Sequence, residues 1–366
     1  MNDDVLTDAV GAGDLDPHRI DTSAVGRPTR SDWAYVVRRA WRGFIRHRGF
    51  DSAAALTFFS ALSIFPSALV VVSTLAIVDS GNAVRDILAV VQELAQNDTV
   101  RTLESPLQQL LTVPYPWLGL AIGLVLTVWT LSAYASAFGR SMNSAYQAEE
   151  GRPFLRMRLL MLAIACVLGV LLAALTVILL ITPRVAAAIG RVVGIGEPWV
   201  SVWNLGKWPV LAALAAFTVA LLYHVTPTVR HERKRWLGVG AFSALLVGGL
   251  ATAGFVVYVS TVSNYGRLYG WLGGALVLLA WLYILNFSLM LGGEVDAEFV
   301  RLKQLRRGIR AEEVVRMPMR ETERTLMLAR NLAQDERQAR EIRERATAAR
   351  RSAERDGAAR NAGEDG

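Results

Sequence analysis

Apolar residues in this chain are gathered into six long runs rather than spread at a helical or strand period. The uncharged stretches are 53–78, 116–138, 159–182, 208–225, 237–259 and 271–293, and none contains Asp, Glu, Lys or Arg. A helix of about 20 apolar residues spans the bilayer core, so each run predicts a transmembrane helix. The pattern therefore predicts an all-α membrane protein: a six-transmembrane-helix bundle with amphipathic interfacial helices and a charged cytoplasmic helical tail. Three parts follow from the same pattern. They are a disordered N-terminus plus interfacial helix (1–52), the six-helix domain (53–293) and a charged C-terminal tail (294–366). Some 50 mostly polar residues precede the first run, which argues against a signal peptide. Its length calls for a tilt or a bend, and Pro66 offers the bend.

Between the runs the polar segments carry their own pattern. Over 32–48, Trp33, Val36, Val37, Ala40, Trp41, Phe44 and Ile45 recur at helical spacing among arginines. Such a helix either lies on the membrane surface or packs beneath the bundle. Two short amphipathic helices are expected within 79–115. Trp199, Trp203 and Trp208 suit an aromatic belt. Around Glu336–Arg345, i,i+4 pairs of opposite charge predict a solvated helix reaching about residue 350.

Composition sharpens the picture. The chain has 366 residues, of which 53% are hydrophobic and 19% charged, with a mean hydropathy of +0.33. That is too apolar and too weakly charged for an aqueous globule. The net charge of +7 would suit nucleic acid, but its distribution argues otherwise. Alternate loops hold 6 of the 39 Lys and Arg residues, and the N-terminus, remaining loops and tail hold 33. Basic residues stay cytoplasmic, so both termini are expected inside a multi-pass cytoplasmic-membrane protein that does not bind nucleic acid. Membrane lipids are the expected partners, together with a cytosolic protein that could bind the tail.

Catalytic signatures are missing from the sequence. It has no phosphate-binding glycine loop, no His-Glu-x-x-His and no nucleophile elbow, so neither a catalytic site nor a cofactor or metal is expected. Cys166, the single cysteine, reads as a small packing residue. His224 and His231 sit seven residues apart with no third ligand nearby. Gly119–Gly123, Gly249–Ala253 and Gly270–Gly274 allow close helix approach, within one chain or across a homodimer.

Polar residues deep in the runs carry more information, because each costs energy in lipid. Asn286 lies well inside the sixth run, Ser132 and Ser136 lie in the second, and Glu294 and Asp296 end the sixth. In one reading, Asn286, Glu294, Asp296, Tyr269, Gly270 and Arg158 form a polar path or gate, with Gly292 and Gly293 loosening the helix end. In the other they tie helices together, with Glu294 and Asp296 paired to Arg140 or Arg158.

Four segments occur in order that resemble one family. They are AAALTFFSALSIFPSALVV (53–71), RSMNSAYQAEEGRPFLRMRLLML (140–162), LYHVTP (222–227) and YGWLGGALVLLAWLYILNFSLMLGGEVDAE (269–298). Together they resemble the YihY/virulence factor BrkB family of bacterial inner-membrane proteins over about 35–300. Thr228 stands where an Asn often follows the Pro, and Asp296 where Asn is usual. The resemblance implies six membrane helices without an established biochemistry. Family members have carried the label ribonuclease BN. A two-metal RNA hydrolase needs a cluster of His and Asp, whereas His18, His47, His224 and His231 are scattered. Two functions remain: a transporter of a lipid or other amphipath, and a non-catalytic scaffold recruiting partners through its basic tail.

The charge asymmetry makes a direct prediction. A reporter fused after Gly366 that is active only outside the cytoplasm stays silent; activity from that fusion reverses the orientation.

Overall fold

The computed structural model describes residues 28–78, 115–181, 198–229, 238–261, 271–318 and 320–364. Eight helices lie within them: α1 (Arg30–Arg46), α2 (Gly49–Val78), α3 (Pro116–Ala145), α4 (Phe154–Leu180), α5 (Pro198–Val225), α6 (Val239–Thr261), α7 (Trp271–Arg306) and α8 (Glu323–Glu364). From α2 to α7, six helices are long and apolar enough to cross a membrane. The fold is all-helical, as the runs predict. The helices outrun the uncharged stretches because backbone hydrogen bonding continues past the first charged side chain: Arg140 on α3 is exposed, whereas Glu294, Asp296, Glu298 and Arg301 on α7 are buried among protein partners. The expected amphipathic helices within 79–115 and His231 lie outside the described residues.

Each spanning helix packs on the next in sequence and α7 closes back on α2, with α3 touching α7 and α5 across the interior. Of the six helices, α3 is the most buried. Phe138, Met142, Leu168, Leu222, Tyr223 and Met290 belong to the core. Outward faces carry large apolar side chains such as Phe65, 77% exposed, along with Val170 and Leu250. Cys166 is also exposed; it lies on the outward side of α4 and is not the packing residue its apolar neighbours suggest.

Helix α1 starts with a capping box between Thr29 and Asp32. The backbone N–H of Thr29 and the Thr29 hydroxyl hold the Asp32 carboxyl below the usual carboxylate range. One face of α1 buries Val36, Ala40, Gly43 and Phe44, and Trp33 stacks on Phe299 of α7 at 5.4 Å. Thus α1 packs beneath the bundle, while Val37, Trp41 and Ile45 remain exposed. Its apolar residues serve two faces rather than one.

Helix α7 does not loosen at Gly292–Gly293 but runs on to Arg306. Those glycines are packing sites. A methyl group at Gly292 would sit 2.6 Å from Ala244 Cβ and 2.7 Å from the Gly240 carbonyl oxygen; at Gly293 it would sit 2.6 Å from Met142 Sδ. The α6–α7 seam therefore follows Gly240, Ala244 and Gly248. Gly249, one residue on from that stripe, has nothing within 4 Å of a built Cβ, and neither has Gly274. Gly119 and Gly123 do form a seam, closing α3 onto Ser73, Val70 and the Pro66 carbonyl of α2. The charged tail helix continues to Glu364, past the expected fraying near 350. Two of its ion pairs are Arg340–Glu336 at 3.6 Å and Arg345–Glu341 at 3.3 Å.

This packing predicts opposite outcomes for two glycines on facing helices. Gly292→Leu forces α6 and α7 apart and lowers the amount of folded protein. Gly249→Ala leaves it unchanged or raises stability by up to about 1 kcal/mol through helix propensity. Thermal unfolding of both variants in detergent checks the pair.

Candidate functional site

Buried polar groups form a column along α7, starting deep in the bundle. Asn286 is 3% exposed. Its amide nitrogen donates to the Leu282 carbonyl at 2.9 Å and reaches Ser60 Oγ at 3.3 Å and Thr57 Oγ1 at 3.4 Å, both on α2. Tyr134 of α3 donates its hydroxyl to Asn286 Oδ1 at 3.0 Å. One side chain thus joins three helices. Ser136 donates back to the Ser132 carbonyl on its own helix.

Lower on the same helix, Asp296 accepts the Tyr146 hydroxyl at 2.6 Å and the Gly240 backbone N–H at 3.0 Å. Gly240 lies in the first turn of α6, where N–H groups have no partner within the helix. Asp296 is therefore an N-cap supplied from another helix, with its charge at the positive end of the dipole. Burial and the Asp296 charge push the Tyr146 phenol well above its ordinary value. The Tyr223 hydroxyl donates to the Leu289 carbonyl.

Glu294 is paired with His47, Nδ1 to Oε1 at 2.8 Å. Its other oxygen is buried against Gly43 with no hydrogen-bond partner. Neither carboxylate pairs with Arg140 or Arg158. The Arg158 guanidinium instead lies over the Trp129 ring at 4.6 Å, so a Glu294–Arg158 gate does not form. Tyr269 and Gly270 lie outside the described residues. The structure brings Asn286, Glu294 and Asp296 onto one helix, linked to separate partners.

At the same end of the bundle, arginines hold backbone together. Arg152 grips Glu150 with two nitrogens at 2.7 and 3.0 Å and donates to the Thr226 carbonyl at 2.6 Å. Asn143 donates to Glu150 and accepts from the Thr228 N–H. Arg320 donates to the His224 and Val229 carbonyls. Two guanidinium groups thus satisfy carbonyls in the last turn of α5 and just after it, where positive charge suits the dipole. Burial raises the Glu150 pKa, but Arg152 and Asn143 outweigh it and hold the carboxyl below the usual range.

Arg301, 1% exposed, donates to the Ala311 carbonyl at 2.6 Å and to Gln147 Oε1 at 3.1 Å. Its Nε lies 3.0 Å from Glu298 Oε2, an ion pair that is too poorly aligned for a hydrogen bond. Arg39 shares the same Glu298 oxygen at 3.0 Å and donates to the Glu312 carbonyl. These contacts enclose a cleft of about 280 Å³ between α1 and the end of α7.

Sequence reasoning missed His47, Arg301 and Arg320 as partners. Their signal was weak, since each is one basic residue among many in a charged segment. Tyr146 and Asn143 did fall within a quoted motif, but Asp296 and Thr228, which they bond, lie 150 and 85 positions away. Among the described residues, no group of three His, Cys, Asp or Glu side chains converges as a metal site.

Six apolar spans closed into a ring around a polar column define a multi-pass helical membrane protein. The chain matches the virulence factor BrkB family over residues 40–315 and belongs to that family. It is 31% identical over 275 residues to the ribonuclease-like protein YfkH of Bacillus subtilis, a match covering 74% of this chain and 96% of that one. It is 26% identical to the UPF0761 membrane protein XCC0860 of Xanthomonas campestris, covering 73% of this chain and 61% of that one. For XAC0937 of Xanthomonas axonopodis the identity is 26%, covering 70% and 59%. The chain thus spans about three fifths of the Xanthomonas relatives. No solved structure matches it. The family match takes in the segment that Arg301 holds and ends before α8.

Glu150 gives a test with a sign. Glu150→Ala strands the buried Arg152 and costs about 1.5–3 kcal/mol, the range for a hydrogen bond to a charged group. Because the folded pKa is depressed, this stabilisation is present above the ordinary value of 4.5 and lost as pH falls through the folded value. The Glu150→Ala protein therefore melts below the parent at pH 7, and the gap closes on strong acidification.

Proposed function

We propose that this protein is a non-catalytic carrier of a lipid or another amphipathic molecule, lying in the cytoplasmic membrane with both termini inside. The observation that supports this reading is the polar column on α7. Asn286, Tyr134, Thr57 and Ser60 place uncharged polar groups deep among apolar helices, and Glu294 and Asp296 continue the column to the charged end. A headgroup moving past such a column exchanges hydrogen bonds, while its acyl chains stay on the apolar outer faces. No buried charge is needed at mid-depth, which suits an amphipath better than an inorganic ion. Among the described residues, α5 and α6 form the thinnest seam of the ring, and a lateral opening there would join the interior to lipid.

A second reading, a scaffold acting through its tail, is favoured by α8. That helix is largely exposed between Met327 and Arg350 and lies beyond the family match.

Purified protein in vesicles separates the two. The carrier speeds exchange of a fluorescent phospholipid between leaflets over protein-free vesicles, and keeps doing so after deletion of 323–366. Asn286→Leu removes hydrogen bonds worth on average about 0.6 kcal/mol each in a membrane, so the variant folds. Its exchange rate, and that of Glu294→Ala, falls at least ~10-fold, equivalent to about 1.4 kcal/mol. If exchange is absent for every lipid class while the tail still captures a cytosolic partner, the carrier reading fails. If both variants lose exchange only as folded protein is lost, the column is structural.

A further inference from the structure

The cleft between α1 and the end of α7 is lined by five arginines, Arg38, Arg39, Arg42, Arg46 and Arg301, with His47 beside them. Among the described residues a single carboxylate, Glu298, lines the cleft with them. The five fall into two kinds. Arg39 and Arg301 are fixed: both pair with Glu298 and both donate to the backbone at 311–312. Arg38, Arg42 and Arg46 are exposed and have no partner among the described residues. They recur every four residues, so they form one row along α1.

A row of like charges at that spacing weakens an isolated helix. Here the row stands over a cleft whose floor already holds two more guanidinium groups, and Glu298 is shared by both of them. The site is therefore short of negative charge. Guanidinium forks match phosphate oxygens in a bidentate way, and Gln147 and Tyr35 add neutral polar groups to the wall. A volume of about 280 Å³ suits a small phosphorylated group, lying just below the usual range for small-ligand pockets. The exposed Val37, Trp41 and Ile45 on α1 supply apolar surface close to this row.

We propose that this cleft is a binding site for a phosphate-class anion, either free or as the headgroup of an anionic lipid. Arg39 and Arg301 are its preset floor, and Arg38, Arg42 and Arg46 close over the ligand. The site stands on its own geometry and does not require that the protein carry lipid.

The test uses the full chain in detergent, so that binding is read without flux. Short-chain phosphatidic acid and inorganic phosphate are titrated separately, with phosphatidylcholine as the zwitterionic control. Phosphatidic acid is expected to bind and phosphatidylcholine to bind at least ~10-fold more weakly, a gap of about 1.4 kcal/mol. Affinity falls as salt rises. Substituting Arg38, Arg42 and Arg46 by Gln weakens binding at least ~10-fold without lowering the melting temperature of the unliganded protein, because none of the three has a hydrogen-bond or ion-pair partner among the described residues. Arg42→Glu alone does the same if the triple variant expresses poorly. The triple Gln substitution of Arg330, Arg343 and Arg350 on α8 removes equal charge and leaves binding intact. Binding by both anions identifies the phosphate as the whole determinant; binding by phosphatidic acid alone identifies a lipid headgroup held with its chains. The proposal is overturned if neither anion binds, if the α1 variants bind as the parent does, or if the α8 control weakens binding equally. Loss of lipid exchange with binding intact would count against the carrier alone.

Discussion

A carboxylate buried between helices must be answered by donors, because the surroundings cannot solvate it. Asp296 is answered from two directions, by the hydroxyl of Tyr146 at the end of α3 and by the first-turn N–H of Gly240 in α6. Those bonds fix where α3 stops and where α6 starts relative to α7. The close approach of α6 and α7 at Gly240, Ala244 and Gly292 depends on that register. The connection after α3 is set in turn, and it presents Glu150 and Arg152 to the carbonyls after α5. The contacts of Tyr146, Gly240, Glu150 and Arg152 thus share one buried charge as their reference point, beside the separate pairs made by Glu294 and Glu298.

The six spans are legible in the sequence because hydrocarbon imposes a length and forbids charge, and both leave a mark on every residue of a run. Which face of each run points inward is not legible. A helix that is apolar all round has no polar stripe to mark its outer side. For this reason the sequence points to Gly249–Ala253 as a seam, although the stripe that is packed, Gly240–Ala244–Gly248, lies one residue away. The partners of Glu294 and Asp296 were illegible for a different reason. Several arginines stood at suitable depth, and only the fold brings His47 and Tyr146 to the carboxylates instead. Column residues could be listed from depth alone; their pairing could not.

Both departures from the family pattern have a local explanation. At Thr228 the structural contacts are made by backbone: its N–H donates to Asn143 and its carbonyl accepts from the Arg320 N–H. The Thr228 hydroxyl is buried without a partner, so the side chain is not what the position requires. At Asp296 an Asn could still accept from Gly240 through its amide oxygen. What the Asp adds is a full negative charge at the helix end and a stronger acceptor for Tyr146.

Helix α7 has 36 residues, a rod of about 54 Å in a hydrocarbon layer of roughly 30 Å. Its excess length projects beyond the bundle, and Arg301 and Gln304 on that projection hold the backbone at 311, 312 and 316. The rod is gripped closely at Gly292 and fastened again near its end. One unbroken helix therefore carries both the mid-membrane polar groups and the contacts that hold the segment at 311–316.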